Sequence, residues 1–175
     1  MLVSNSQTRK KYPLSPKKII KKTLASTTGW FFFLLFLLLF LVLPIYFTVS
    51  SISFFSLIII SLYVFILFLI LITVLSYFYQ RWYFAVYFYD ILEDYIVIRK
   101  GPIAPKEITI PWERIQDVYV DQDIFDRMFG LYDVHLSTAT VSSGMQAHID
   151  GVEKQAADGL REALLEKVRS RISKR

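Results

Sequence analysis

His135, His148 and the closely spaced acids Asp121, Asp123 and Asp126 are the side chains of this 175-residue sequence that most invite chemistry. Two imidazoles 13 residues apart fall short of a zinc site, which needs three or four protein ligands. The run DQDIFDRMFGLYD lacks the glycine at its sixth position and the glutamate at its twelfth that a calcium-binding loop uses. Serines occur without a nucleophile elbow, and no glycine-rich loop stands ready to cradle a phosphate. Cysteine is absent, which removes disulfides and thiolate metal sites. The sequence therefore predicts no enzyme, no cofactor and no metal.

Charge is distributed more informatively than reactivity. Residues 1–28 carry Arg9, Lys10, Lys11, Lys17, Lys18, Lys21 and Lys22 with no acid, a net +7, while residues 81–175 sum to −2. Cations just outside an apolar span gain about 1 kcal/mol each near anionic lipid. With Pro13 and Pro16 and little apolar content, residues 1–28 are predicted to be a mostly disordered, basic cytoplasmic tail along a membrane surface. Ser15–Lys18 reads SPKK, a string resembling a minor-groove DNA-binding motif, but its place beside an apolar span predicts no nucleic-acid partner.

The element next to that tail is the clearest in the sequence. From Gly29 to Gln80 there is no Asp, Glu, Lys or Arg. Residues 30–49 and 54–79 form two apolar runs of 20 and 26 residues, about 30 and 39 Å long if helical, enough to cross a bilayer. Only Ser50–Ser53 separate them, so the spans must be antiparallel and both chain ends must share a side. The positive-inside rule puts that side in the cytoplasm, with Trp30, Tyr77, Tyr79 and Trp82 at the same interface. Residues 29–80 are thus predicted to be a transmembrane hairpin, with Pro44 kinking its first helix. Having no ionisable group and no dense small-residue face, it reads as an anchor.

Beyond Arg81 the pattern changes to short β-branched and aromatic segments separated by turn signals. Strands are predicted at Tyr83–Tyr89, Tyr95–Arg99, Glu107–Ile110, Ile115–Asp121, Asp133–Ser137 and Met145–Ile149. Asp150 and Glu153 have capping-box spacing, which predicts a helix over about 151–173. Its apolar stripe Val152, Ala156, Leu160, Leu164, Val168 and Ile172 would cover the sheet.

The stretch IPWERIQDVYVDQDIFDRMFGLYDVHLST resembles the bacterial pleckstrin-homology family of membrane-flanked, YdbS-like proteins. The resemblance rests on Ile110-Pro111, Arg114-Ile115-Gln116, Val118, Gln122, Arg127, Phe129-Gly130-Leu131, Val134 and Thr138, followed by Ile149-Asp150-Gly151 and the alanines Ala156 and Ala157. It implies a two-helix transmembrane hairpin followed by an α+β pleckstrin-homology-like split β-barrel or roll over residues 81–175, closed by a C-terminal α-helix. The implied roll has seven strands, one more than the pattern locates, with Gly101–Lys106 or Thr140–Ser143 as candidates for the seventh. Within the motif Ile110, Pro111, Ile115 and Phe129 are expected to be structural, and Gly130 to take positive φ at a turn.

Domains of this kind that hold phosphoinositides use a basic cluster around the first strand-to-strand loop. Here that loop is Ile91-Leu92-Glu93-Asp94, and residues 81–160 carry seven basic side chains against thirteen acidic ones, so inositol phosphates are not expected at the usual surface. Arg99 and Lys100 leave a small alternative patch. Arg114 and Arg127, standing among Glu113, Asp117, Asp123 and Asp126, are expected in an ion-pair network or on a partner-facing surface. The functional expectation is a non-enzymatic interaction or scaffold module, multi-pass in the plasma membrane with both termini cytoplasmic. Its partners would be the lipid bilayer and itself or another membrane protein. The alternatives are a lipid-sensing or envelope-stress protein and an accessory subunit of a transporter.

Overall fold

A computed structural model of the chain describes residues 6–48, 53–138 and 147–172. They divide into two units: residues 22–80, and a second unit in which residues 1–21 join residues 81–175.

The unit over residues 22–80 is built from the apolar parts of two long helices, α2 (Lys17–Thr48) and α3 (Phe54–Val86). Both are long and apolar enough to cross a membrane. They run antiparallel, as the short connection requires. Ser26 Oγ lies 3.3 Å from Ser76 Oγ, Thr27 donates to Thr73 Oγ1 at 3.3 Å, and Tyr46 meets Phe54 edge-on at 4.8 Å. Helix α2 continues through Pro44, whose carbonyl accepts from the Thr48 hydroxyl. Val49 and most of the expected linker lie outside the described residues.

In the other unit, β1 (Phe88–Ile91), β2 (Tyr95–Lys100) and β3 (Lys106–Pro111) form one antiparallel sheet. A second contains β4 (Ile115–Asp121), β5 (Leu131–Thr138) and β6 (His148–Glu153), in that order. A 3-10 turn at Trp112–Arg114 links the sheets, and a short helix α4 (Ile124–Phe129) separates β4 from β5. Helix α5 (Lys154–Ile172) packs on all three strands of the second sheet and on the 3-10 turn. The core gathers Tyr89, Ile96, Ile98, Val134, Leu136 and Ile149 from the sheets, Tyr87 just before β1, Trp112 from the 3-10 turn, and Leu160 and Leu164 from α5, all but sealed from solvent. Those last two leucines belong to the predicted stripe.

Three expectations are corrected. Tyr83–Tyr89 is not one strand, because α3 runs on to Val86 and pairing with β2 starts only at Phe88. The last helix starts at Lys154 rather than near residue 151, and Asp150 is no cap. Both it and Glu153 lie in β6 and serve the N-terminal segment instead. Residues 6–21 are likewise not a disordered tail but part of this unit, opening with helix α1 (Gln7–Lys11). Of the candidate seventh strands, Gly101–Lys106 is the β2–β3 turn with only Lys106 in a strand, and Thr140–Ser143 lies outside the described residues. The backbone beside β6 comes from the N-terminal segment: Leu14 bridges Val152, and the Ser15 N–H donates to Gly151 O at 2.9 Å.

Candidate functional site

The N-terminal segment is fastened at successive points. Ser6 caps α1 by accepting from the Arg9 N–H at 2.9 Å, while its hydroxyl donates to Tyr89 O at 2.6 Å. The Thr8 hydroxyl donates to Asp90 Oδ1 at 2.6 Å and accepts from the Ile91 N–H at 2.9 Å. Arg9 donates to the Tyr87 carbonyl and, at 3.1 Å, to Phe84 O. Tyr12 receives the Tyr89 hydroxyl on its carbonyl and lays its ring against Gly159 of α5, where a Cβ would sit 2.6 Å from Cε1. These contacts cover the free edge of β1, which otherwise would offer unpaired backbone groups.

Two lysines at helical i, i+3 spacing then enter the unit on one face of α2. Lys18 Nζ lies 2.9 Å from Asp150 Oδ1 and 3.9 Å from the Tyr87 ring centre, with both charged partners buried. Burial, followed by the Asp150 charge, pushes the Tyr87 hydroxyl well above its ordinary pKa, so it stays protonated and donates to His148 O at 3.0 Å. The Lys18 stem passes over Gly151, whose φ of 78° suits glycine and where a Cβ would approach Lys18 Cδ to 2.7 Å. Lys21, only 2% exposed, contacts the fully buried Asp126 carboxylate. It lies 3.1 Å from Asp123 Oδ2 and 3.9 Å from Asp133 Oδ2.

The sequence places those carboxylates for Lys21 through local rules. Asp123 is the N-cap of α4 and accepts from the Asp126 N–H at 2.6 Å, while Asp126 accepts from the Asp123 N–H at 3.2 Å, a reciprocal capping box. Gly130 ends α4 with φ 66°. Partial burial opposes ionisation of Asp123, yet the Asp126 N–H and the Lys21 ammonium hold its carboxyl below the ordinary value. Asp133 goes the other way. Burial, then the neighbouring Asp150 charge, raises it, against the pull of Lys21 and a 2.8 Å hydrogen bond from the Gly151 N–H.

The other expected residues are more dispersed. Lys10, Lys11 and Lys17 are exposed, Lys17 pairing with Glu153 at 3.4 Å, and Lys22 is half-buried. Lys18 and Lys21, counted with them as lipid-facing cations, instead neutralise buried acids. Arg99 and Lys100 end β2, with the Lys100 ammonium 5.5 Å from the Tyr87 ring centre. Arg114 and Arg127 are exposed and no ion pair of theirs is seen among the described residues, while Asp123 and Asp126 pair with Lys21. Ile110 and Ile115 are core residues; Pro111 closes β3 opposite Tyr95, and Phe129 is half-buried.

The first strand-to-strand loop is tied down rather than open. Glu93 O accepts from Trp112 Nε1 at 3.0 Å and from Arg171 at 3.2 Å, and Arg171 also pairs with Asp94. On β4 and β5, Asp121, Asp133 and His135 bring one ligand atom each within 4.8 Å of one another. Asp133 is already served by Gly151 and Lys21, and His135 stacks between Tyr119 and His148 at 4.9 and 5.2 Å while touching Asp121 at 3.1 Å. That arrangement is a packed aromatic and hydrogen-bonded group.

Two three-stranded antiparallel sheets, the second covered by a C-terminal helix and both preceded by a pair of long apolar helices, have the make-up of a pleckstrin-homology-like module. A family model described as a bacterial PH domain matches residues 31–168, and the chain belongs to that family. No curated protein and no solved structure matches it.

Proposed function

We propose that this protein is a membrane-anchored, non-enzymatic interaction module. On this reading its two apolar helices cross the plasma membrane, both termini lie in the cytoplasm, and the pleckstrin-homology-like unit assembles there with itself or with another membrane protein. The observation that carries the reading is the outer surface of α2 and α3. Phe32, Phe36, Phe40, Phe55, Leu67 and Phe68 are among many apolar side chains that stand exposed along them. A surface of that extent needs hydrocarbon or another protein around it. A protein partner is favoured over a lipid headgroup because the first strand-to-strand loop is acidic and already bound by Trp112 and Arg171.

Full-length protein crosslinked in native membranes, then solubilised and resolved by mass, tests this. A discrete higher-mass species containing a second copy or one stoichiometric membrane protein is expected. Exclusive recovery of the monomer, or recovery of the protein in a carbonate-washed soluble fraction, overturns it.

A further inference from the structure

Helix α4 presents a face that its own fold leaves uncovered. Ile124 and Met128, one turn apart, are 80% and 66% exposed. Asp126, on the opposite side, is fully buried against Lys21 and holds the helix with that apolar pair outward. Along one flank of the pair stand Asp123, the N-cap, and Arg127, again four residues apart and therefore on one side of the helix. Asp123 shares the Lys21 ammonium with Asp126 and Asp133, yet more than half of its side chain remains in solvent. Arg127 is exposed, and no ion pair of its own is seen among the described residues. The face thus has two apolar side chains, an acidic N-terminal end and a cationic C-terminal end.

That order is self-complementary. When two such helices meet antiparallel about a two-fold axis, Ile124 lies against the partner's Met128, Met128 against the partner's Ile124, and each Arg127 against the partner's Asp123. Parallel packing would set arginine against arginine and aspartate against aspartate, which repel. An anionic ligand would meet Asp123 as well as Arg127. An antiparallel second copy is the occupant that answers every group on the face.

We infer that α4 is the surface through which the pleckstrin-homology-like units of two copies associate about a two-fold axis. The inference rests on the proposed assembly of this unit with itself and gives that assembly a place. A helix of six residues per copy is far below the roughly 800 Å² per partner of a standard interface, so the contact is weak in free solution. On the proposed anchoring, confinement of both copies to one membrane raises their effective concentration and lets such a contact pair them.

The absence of cysteine makes the test direct. Single-cysteine variants Ile124→Cys, Met128→Cys and Ile103→Cys of the full chain carry tags of different mass and are reconstituted in pairs into lipid vesicles. Ile103, 74% exposed in the β2–β3 turn, reports random collision. Under mild oxidation the mixed disulfide of Ile124→Cys with Met128→Cys should form several-fold faster than the disulfide of either with Ile103→Cys. Arg127→Gln in both copies should slow the mixed disulfide several-fold. Equal rates for all pairs refute the contact, and homodimers of Met128→Cys forming as fast as the mixed pair refute the antiparallel arrangement. Amine-directed crosslinking of the same vesicles separates this failure from that of the broader reading. A captured dimer leaves self-assembly standing without α4, whereas exclusive monomer removes self-assembly and this inference together.

Discussion

Replacing Lys21 by methionine keeps most of the side-chain volume and removes only the ammonium. In the native unit that ammonium is sealed against Asp126, which has no solvent exposure, with Asp133 at 3.9 Å and Asp123 at 3.1 Å. Removing one partner of a buried ion pair costs about 3–5 kcal/mol because the other charge stays buried. Asp126 keeps one N–H donor, from Asp123 at 3.2 Å, which places the loss near the lower end, about 3 kcal/mol. At about 1.4 kcal/mol per factor of ten, the slowest amides of β5 and β6 should exchange roughly a hundredfold faster in the full-length protein. Lys17→Met provides the contrast. Its pair with Glu153 at 3.4 Å has both side chains more than half exposed, so its loss should change stability by about 0–1 kcal/mol. Hydrogen exchange followed by mass spectrometry reads both variants in one experiment. Similar protection in Lys21→Met and Lys17→Met would refute the buried clamp as a source of stability.

Gly151→Ala should destabilise the same unit, since φ 78° disfavours a side chain and its Cβ would meet Lys18 Cδ at 2.7 Å; an unchanged thermal midpoint would contradict this. Asp123 has a depressed pKa, so its contribution is present above the ordinary 3.8 and lost as pH falls through the lower folded value. Asp123→Asn should therefore flatten the acid limb of the stability profile below about pH 4. Asp133 is raised, so folding favours its protonated form and the charged form burdens the native state once pH exceeds the raised value. Asp133→Asn, which keeps an acceptor for Gly151, should be neutral or stabilising at pH 7 in denaturant titrations, losing that advantage in acid. A fragment of residues 81–175 should lack cooperative unfolding by near-ultraviolet circular dichroism, and joining residues 6–21 to it through a flexible linker should restore it.

Ile115–Asp121 was legible residue for residue as β4, and Tyr95–Arg99, Glu107–Ile110 and Asp133–Ser137 fall within strands, because β-branched residues bounded by turn signals report sheet locally. The apolar helices were equally plain. Tyr83–Tyr89 was not, since an aromatic run fits either period and only the continuation of α3 decides. The Asp150–Glu153 spacing imitates a helix cap, but these carboxylates answer to residues more than 130 positions away, which no local pattern encodes. One signal of the clamp did lie in the sequence. Residues 1–28 carry +7 and residues 81–160 carry −6, and that complementarity reads as attraction once Lys18 and Lys21 are seen to close it.

The separation between Lys18 and Asp150, 132 positions, bears on how the chain is made. The lysines leave the ribosome first, and their acids follow only after both apolar helices have been synthesised. On the proposed reading, the clamp closes only when those helices have inserted as a pair with the two ends on one side. A chain inserted with its N-terminus on the far side would leave Asp126 and Asp150 without their counter-charges. On that reading, closure of the clamp would report that both ends of the hairpin lie on one side.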